Sequence, residues 1–171
     1  MGIGQQYTGQ MPTRLLTASD RPLLRQATLA NMNWCGPRFT FDDLDQSKEL
    51  AHYYSDFPRG DDFGMLDEAA GDVRAVAWLV FFPAEHPGYG FVDDTIPELS
   101  ITTFDGFRGQ GIGEHLLREV IAAAAERGMP GISLSVEDGN RARSLYSRLG
   151  FQPVGRSGDS DTMLLRLSTT R

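Results

Sequence analysis

The chain has almost no cysteine, almost no lysine and no long apolar run. The single cysteine, Cys35, excludes an internal disulfide framework and any multi-cysteine metal site. No apolar stretch approaches the roughly 18 residues needed to span a bilayer, and the longest, 75–82, has strand length. Lys48 is the only lysine; the other fifteen bases are arginine. Sixteen bases against 23 acids leave a net charge of −7, which argues against a nucleic-acid binder that works by neutralising phosphates. His52, His86 and His115 lack metal-ligand spacing, and Cys35 has no paired histidine motif, so neither a metal nor a nucleophilic cysteine is expected. Residues 1–10 have neither the basic nor the apolar region of a secretory signal, so cytoplasm is the expected location.

What is present suits one compact domain. The 171 residues include 40% hydrophobic and 23% charged side chains, enough to bury a core without disulfides or structural metals. Residues 1–12 show no periodicity and read as a tail or an added remnant; 13–171 read as the domain. Strands are predicted at 14–17, 63–68, 73–82, 98–104, 132–136, 151–154 and 162–167. Helices are predicted from a Ser19-Asp20-Arg21-Pro22 start to about 33, then at 39–54, after Gly113, and at 140–149. Leu44, Leu50, Tyr53 and Tyr54 supply the apolar face of the second helix. The order β-α-α-β-β-β-α-β-α-β-β, without repeats or a linker, is that of a mixed α/β domain.

The chemistry concentrates after the strand 98–104. Arg108-Gly109-Gln110-Gly111-Ile112-Gly113 lies between a predicted strand and a predicted helix. Glycines there let the backbone approach a ligand, and a helix N-terminus points free N–H groups at an anion. A dinucleotide fingerprint would need a third glycine where Glu114 stands, and a triphosphate loop would need Lys-Ser/Thr where Ile112 follows Gly111. Both fail, so a nucleotide-dependent oxidoreductase is disfavoured. The arrangement still suits a pyrophosphate, and four arginines without an acid between 139 and 156 add a local basic stretch.

Arg108, Gly111 and Gly113 form Arg-x-x-Gly-x-Gly, and Asn140, Ala142, Leu145, Tyr146, Gly150 and Phe151 form a second pattern downstream. Over 98–154 the chain resembles the GNAT superfamily of N-acetyltransferases. That resemblance implies a single α/β domain with a mixed, mostly antiparallel central sheet flanked by helices, and acetyl-CoA as cosubstrate. It implies that residues 108–113 (Arg108, Gly109, Gln110, Gly111, Ile112 and Gly113) bind the pyrophosphate. It further implies that backbone groups at Ile101, Thr102 and Thr103 meet the pantetheine arm and thioester carbonyl on a strand that splays from its neighbour, and that Asn140 bonds the cofactor arm. Capping the following helix is a compatible role for Asn140.

Acetyl transfer to an amine needs a deprotonated nucleophile, a polarised carbonyl and a proton for the departing thiolate. Tyr146 is the candidate acid, since a phenol of pKa about 10 keeps its proton at neutral pH. Glu98, at the start of the central strand, is the candidate base, directly or through water; a solvated strand-end carboxylate is its ordinary role. Asp93 and Asp94, beside the expected acyl site, could attract a cationic amine. Asp105 stands where the family often has proline. The expected activity is direct transfer of acetyl from acetyl-CoA to a primary amine of a small molecule or a peptide N-terminus. A non-catalytic acyl-CoA-binding module is the alternative. Family members are often dimers, so a homodimer is a further expectation; no membrane or nucleic-acid partner is expected.

Overall fold

The computed structural model describes residues 12–168. Seven strands, β1 (Thr13–Leu15), β2 (Phe63–Ala69), β3 (Asp72–Val80), β4 (Glu98–Thr103), β5 (Gly131–Glu137), β6 (Gln152–Ser157) and β7 (Ser160–Arg166), form one sheet in the order β1-β2-β3-β4-β5-β7-β6. Every neighbouring pair is antiparallel except β4–β5, which is parallel. This is the mixed, mostly antiparallel sheet expected. The tail expected at 1–12 lies outside the described residues apart from Pro12, whose carbonyl accepts from Glu68 N–H at 3.0 Å.

Strand alternation divides the core between the two faces of the sheet. On β3, Ala75, Ala77 and Leu79 face α4 (Ile112–Glu126) and α5 (Ala142–Arg148), while Val76, Trp78 and Val80 face the N-terminal helices. The apolar spacing of Ile112, Leu116, Leu117, Val120, Ile121 and Ala124 predicts the buried stripe of α4; all but Ile121 are buried, and Ile121 packs partly buried against the same core. The 63–80 hairpin turns through Ala70 and Gly71, both at positive φ, the geometry that suits the right-handed twist of its strands.

Two expectations change. The first helix, α1 (Arg21–Met32), follows a short 3-10 turn at Ala18–Asp20, and Asp20 does not cap it. Its carboxylate instead accepts from the Thr17 N–H and pairs with Arg14. The single helix expected over 39–54 is two, α2 (Phe41–Gln46) and α3 (Lys48–Ala51), broken where Ser47 is extended. Thr40 and Asp43 cap α2 reciprocally, and after α3 the chain turns so that Tyr53, Tyr54 and Phe57 enter the core. Apolar spacing continued across the break, but the backbone did not.

Candidate active site

At its C-terminal end β4 leads into the glycine-bearing segment 106–113. Gly109 (φ +75°) and Gly111 (φ +77°) take the left-handed conformation that favours glycine, and a Cβ on either would meet nothing within 4 Å. Gly111 is the N-cap of the 15-residue α4 and supplies no side-chain cap, so the N–H groups of the first turn keep no side-chain acceptor from that position. Gly113 lets the turn approach β4: a Cβ there would lie 2.6 Å from Thr103 Oγ1. Arg108 Nε donates to the Thr103 carbonyl at 3.2 Å, and its guanidinium stands 3.4 Å from Asp105. Gln110 Nε2 donates to the Gly106 carbonyl at 3.3 Å. The Ile112 side chain is buried in the core, so only its backbone can face a ligand.

Along β4 the two edges differ. The ladder to β3 runs the whole strand, pairing Ile101, Thr102 and Thr103 with Ala77, Val76 and Ala75. The ladder to β5 has one register pair, Glu98 with Ser133. Beyond that pair no further register pair joins β4 to β5, so the β5-facing main-chain groups of 99–103 lie outside that ladder. The Ile101 side chain packs in the α4-side core. The Thr102 hydroxyl donates to Asn31 Oδ1 at 2.6 Å and to the Ala27 carbonyl at 3.2 Å, tying α1 to the strand.

At the other end of β4, Glu98 is only 4% exposed. Its Oε1 accepts from the Tyr53 hydroxyl at 2.7 Å and from Gly90 N–H at 2.9 Å. Its Oε2 is buried with no hydrogen-bond partner among the described residues, as is Ser133 Oγ. Burial pushes the Glu98 carboxyl up to about 7, opposed by the bonds from Tyr53 and Gly90. Asn140, one residue ahead of the Arg141 N-cap of α5, accepts from the Ala142 N–H through Oδ1 at 3.0 Å. Tyr146, on α5, is buried in the α4-side core against Phe151; desolvation alone pushes its phenol up to about 12.

Residues 28–151 match the acetyltransferase (GNAT) family. The chain belongs to that family. No curated protein matches it. Among solved structures it is similar in fold to a ribosomal-protein-alanine N-acetyltransferase from Brucella melitensis, at 24% identity and a TM-score of 0.61 over 91% of this chain and 99% of that one. It is similar to a Salmonella typhimurium protein solved with its cofactor acetyl-CoA, at 21% identity and 0.66 over 95% and 97%. It is similar also to mutant forms of the spermidine/spermine N-acetyltransferase from Vibrio cholerae, at 20% and 0.59 over 92% and 95%.

In this GNAT acetyltransferase the glycine loop and Glu98 lie at opposite ends of β4, about 17 Å apart at ~3.3 Å per residue. Glu98 and Tyr146 belong to opposite faces of the sheet: Tyr146 lies in the α4-side cluster, and Glu98 is bonded to Tyr53 of the other. The basic stretch after Gly139 is largely neutralised: Arg143 pairs with Asp161, Arg148 with Glu114, and Arg156 with Asp138 and Asp161. Asp93 folds onto its own turn, accepting from the Thr95 N–H and hydroxyl. No group of three or more His, Cys, Asp or Glu that could hold a metal occurs among the described residues, and none of their helices is long and apolar enough to cross a membrane. Tyr53 was not among the expected site residues; the loop 83–97, with Gly88 and Gly90, reads from its prolines and glycines as one with a functional role, but without an assigned contact. The Gly-Tyr-Gly run at 88–90 was the available signal, but nothing local says which group it covers.

Proposed function

We propose that the chain is an acetyl-CoA-dependent N-acetyltransferase that moves an acetyl group directly to a primary amine of a small molecule or a peptide end. The observation that carries this reading is the single-register contact of β4 with β5, which leaves the β5-facing main-chain groups of 99–103, between the glycine loop and Glu98, outside that ladder. The loop fits a pyrophosphate: open space lies beyond Gly109 and Gly111, and α4 begins on a glycine with no side-chain cap. An extended pantetheine arm suits the span of β4. When bound, acetyl-CoA supplies an activated acetyl thioester.

The chain's own residues supply positioning and proton transfer. Backbone N–H groups around Ile101, Thr102 and Thr103 are the candidate donors to the thioester carbonyl, fixed in place before reaction. The amine nitrogen forms the new C–N bond as the C–S bond breaks. Glu98, held near neutrality by burial, takes the proton the amine loses, directly or through water. Tyr146 keeps its phenolic proton across the neutral range and gives it to the departing sulfur. A charge of −7 favours a cationic acceptor approaching from solution.

The test is thiol release from acetyl-CoA against polyamines, aminoglycosides, amino acids and peptide N-termini, with a no-amine control. Acceptor-dependent release is expected. Tyr146→Phe should bind acetyl-CoA with unchanged affinity by calorimetry yet lose about 100-fold or more in turnover. Absence of acetyl-CoA binding would overturn the reading, and full turnover by Tyr146→Phe would remove its role as acid. Binding without release for any amine would favour a non-catalytic acyl-CoA module.

A further inference from the structure

The Glu98 carboxylate is held by one oxygen only, and a single phenol links it to the loop that covers it. Tyr53 Oη donates to Glu98 Oε1 at 2.7 Å and accepts from the Tyr89 N–H at 2.8 Å. The neighbouring Gly90 N–H reaches the same Oε1. The 88–90 run lies against the site with no space to spare. A Cβ on Gly88 would fall 1.9 Å from Glu98 Oε2 and 2.7 Å from the Phe82 ring, and one on Gly90 would fall 2.5 Å from the Leu134 carbonyl carbon. We infer that Tyr53 is a positioning residue for Glu98, its hydroxyl fixing the carboxylate's orientation and strapping residues 88–90 across it.

Tyr53 is built to hold still. Its ring is buried, meets Phe82 edge-on at 5.0 Å, lies parallel to Tyr89 at 6.4 Å and touches His52. Its carbonyl accepts from Trp78 Nε1 at 2.8 Å, so its backbone is tied to β3. An ionised carboxylate oxygen has about two lone-pair sites. Both on Oε1 are taken, so a proton arriving at Glu98 goes to Oε2. That oxygen has no partner among the described residues and belongs to the residue register-paired with Ser133, whose hydroxyl is likewise unpartnered.

Titration at Glu98 is correspondingly simple. Tyr53 is the titratable group in contact with it. His52 and Tyr89 pack on the Tyr53 ring, Tyr89 interacts electrostatically with both Glu49 of α3 and Glu98, and Ser133 on β5 does not titrate. Glu98 makes no ion pair among the described residues.

This inference rests on Glu98 as the base, and Tyr53→Phe tests it apart from that reading. The variant keeps the buried ring and loses only the hydroxyl. Loss of a hydrogen bond to the charged form should raise the midpoint of Glu98 ionisation by about one pH unit. The acidic limb of kcat/KM should move to higher pH by the same amount. Carboxyl carbon NMR titration, with Glu98 assigned by its absence in Glu98→Gln, reads the midpoint without turnover. A merely structural tyrosine would lower activity at every pH and leave the midpoint in place, which would overturn the inference. If Glu98→Gln retained wild-type turnover while Tyr53→Phe raised the midpoint, the base reading would fail and the Tyr53 assignment would stand. If Glu98→Gln were inactive and Tyr53→Phe moved neither midpoint nor limb, the reverse would hold.

Discussion

A buried carboxyl near neutrality costs the folded state something, and Glu98 shows how much. Burial raises its pKa from 4.5 to about 7. A folded-state pKa above the unfolded one means that the stability contributed is full below about pH 4.5 and is lost as pH rises through about 7. At 1.36 kcal/mol per unit, the loss across that window is roughly 3 kcal/mol. Glu98→Gln keeps an oxygen for the Tyr53 and Gly90 bonds and cannot ionise. It should therefore be more stable than the wild type by about 3 kcal/mol at pH 8 in urea titrations, the gap closing toward pH 4.5. Wild-type stability equal to the variant's at pH 8 would show that the carboxylate is not held at a cost. At this scale the sequence was partly legible. Glu98 and Tyr146 stood out because their motif and strand position did. Tyr53 read as one more apolar residue, since its hydroxyl's partner lies 45 positions away.

The elements that matter most are the two glycine-bearing segments at either end of β4, and they differ in what glycine does. In the 108–113 loop, positive φ at Gly109 and Gly111 shapes the backbone and leaves open space beyond it. In the 88–90 strap, glycine permits contact. Gly90 lies against the main chain of Leu134 and Ser135, on a strand fixed by its full ladder to β7. Gly90→Ala cannot push β5 aside, so the strap must lift and its bond to Glu98 must break. A displacement of about 1 Å near a reacting group can cost up to 100-fold. The variant should lose at least about tenfold in kcat/KM, while acetyl-CoA affinity by calorimetry stays at the wild-type value because the 108–113 loop is untouched. Undiminished kcat/KM would show that closure of the strap is not required. The loop at 108–113 was legible because its signal is local: a glycine pattern between a strand and an apolar helix stripe. The strap was not, because what it touches is decided by how β4 and β5 meet.

At the scale of the whole molecule, one sheet carries two cores. Adjacent residues of β3 enter opposite clusters, so neither face can lose its packing without disturbing the strand both share. Trp78 is fully buried in the N-terminal cluster and donates to the Tyr53 carbonyl. Trp78→Phe leaves that carbonyl without its donor, and the expected cost is about 1–3 kcal/mol. Trp34 is then the one remaining tryptophan. Its fluorescence and the far-ultraviolet circular dichroism should change together in a single denaturant transition. Two separated transitions would mean that the faces unfold independently.

Composition, periodicity and short motifs determined the class of the domain, the order of its strands and helices, the stripe of α4 and the glycine loop that precedes it. These are decided within a few residues of chain, by backbone freedom at glycine and by which side chains repeat on one face. Tertiary structure alone decided the single-register contact of β4 with β5, the bond from Thr102 to Asn31 and the enclosure of Glu98 by Tyr53 and the 88–90 strap. Each joins groups far apart in sequence: 71 positions separate Thr102 from Asn31, and 45 separate Tyr53 from Glu98. A carboxylate's proton affinity depends on the water it loses and the donors it gains, and both are set only when distant segments pack around it.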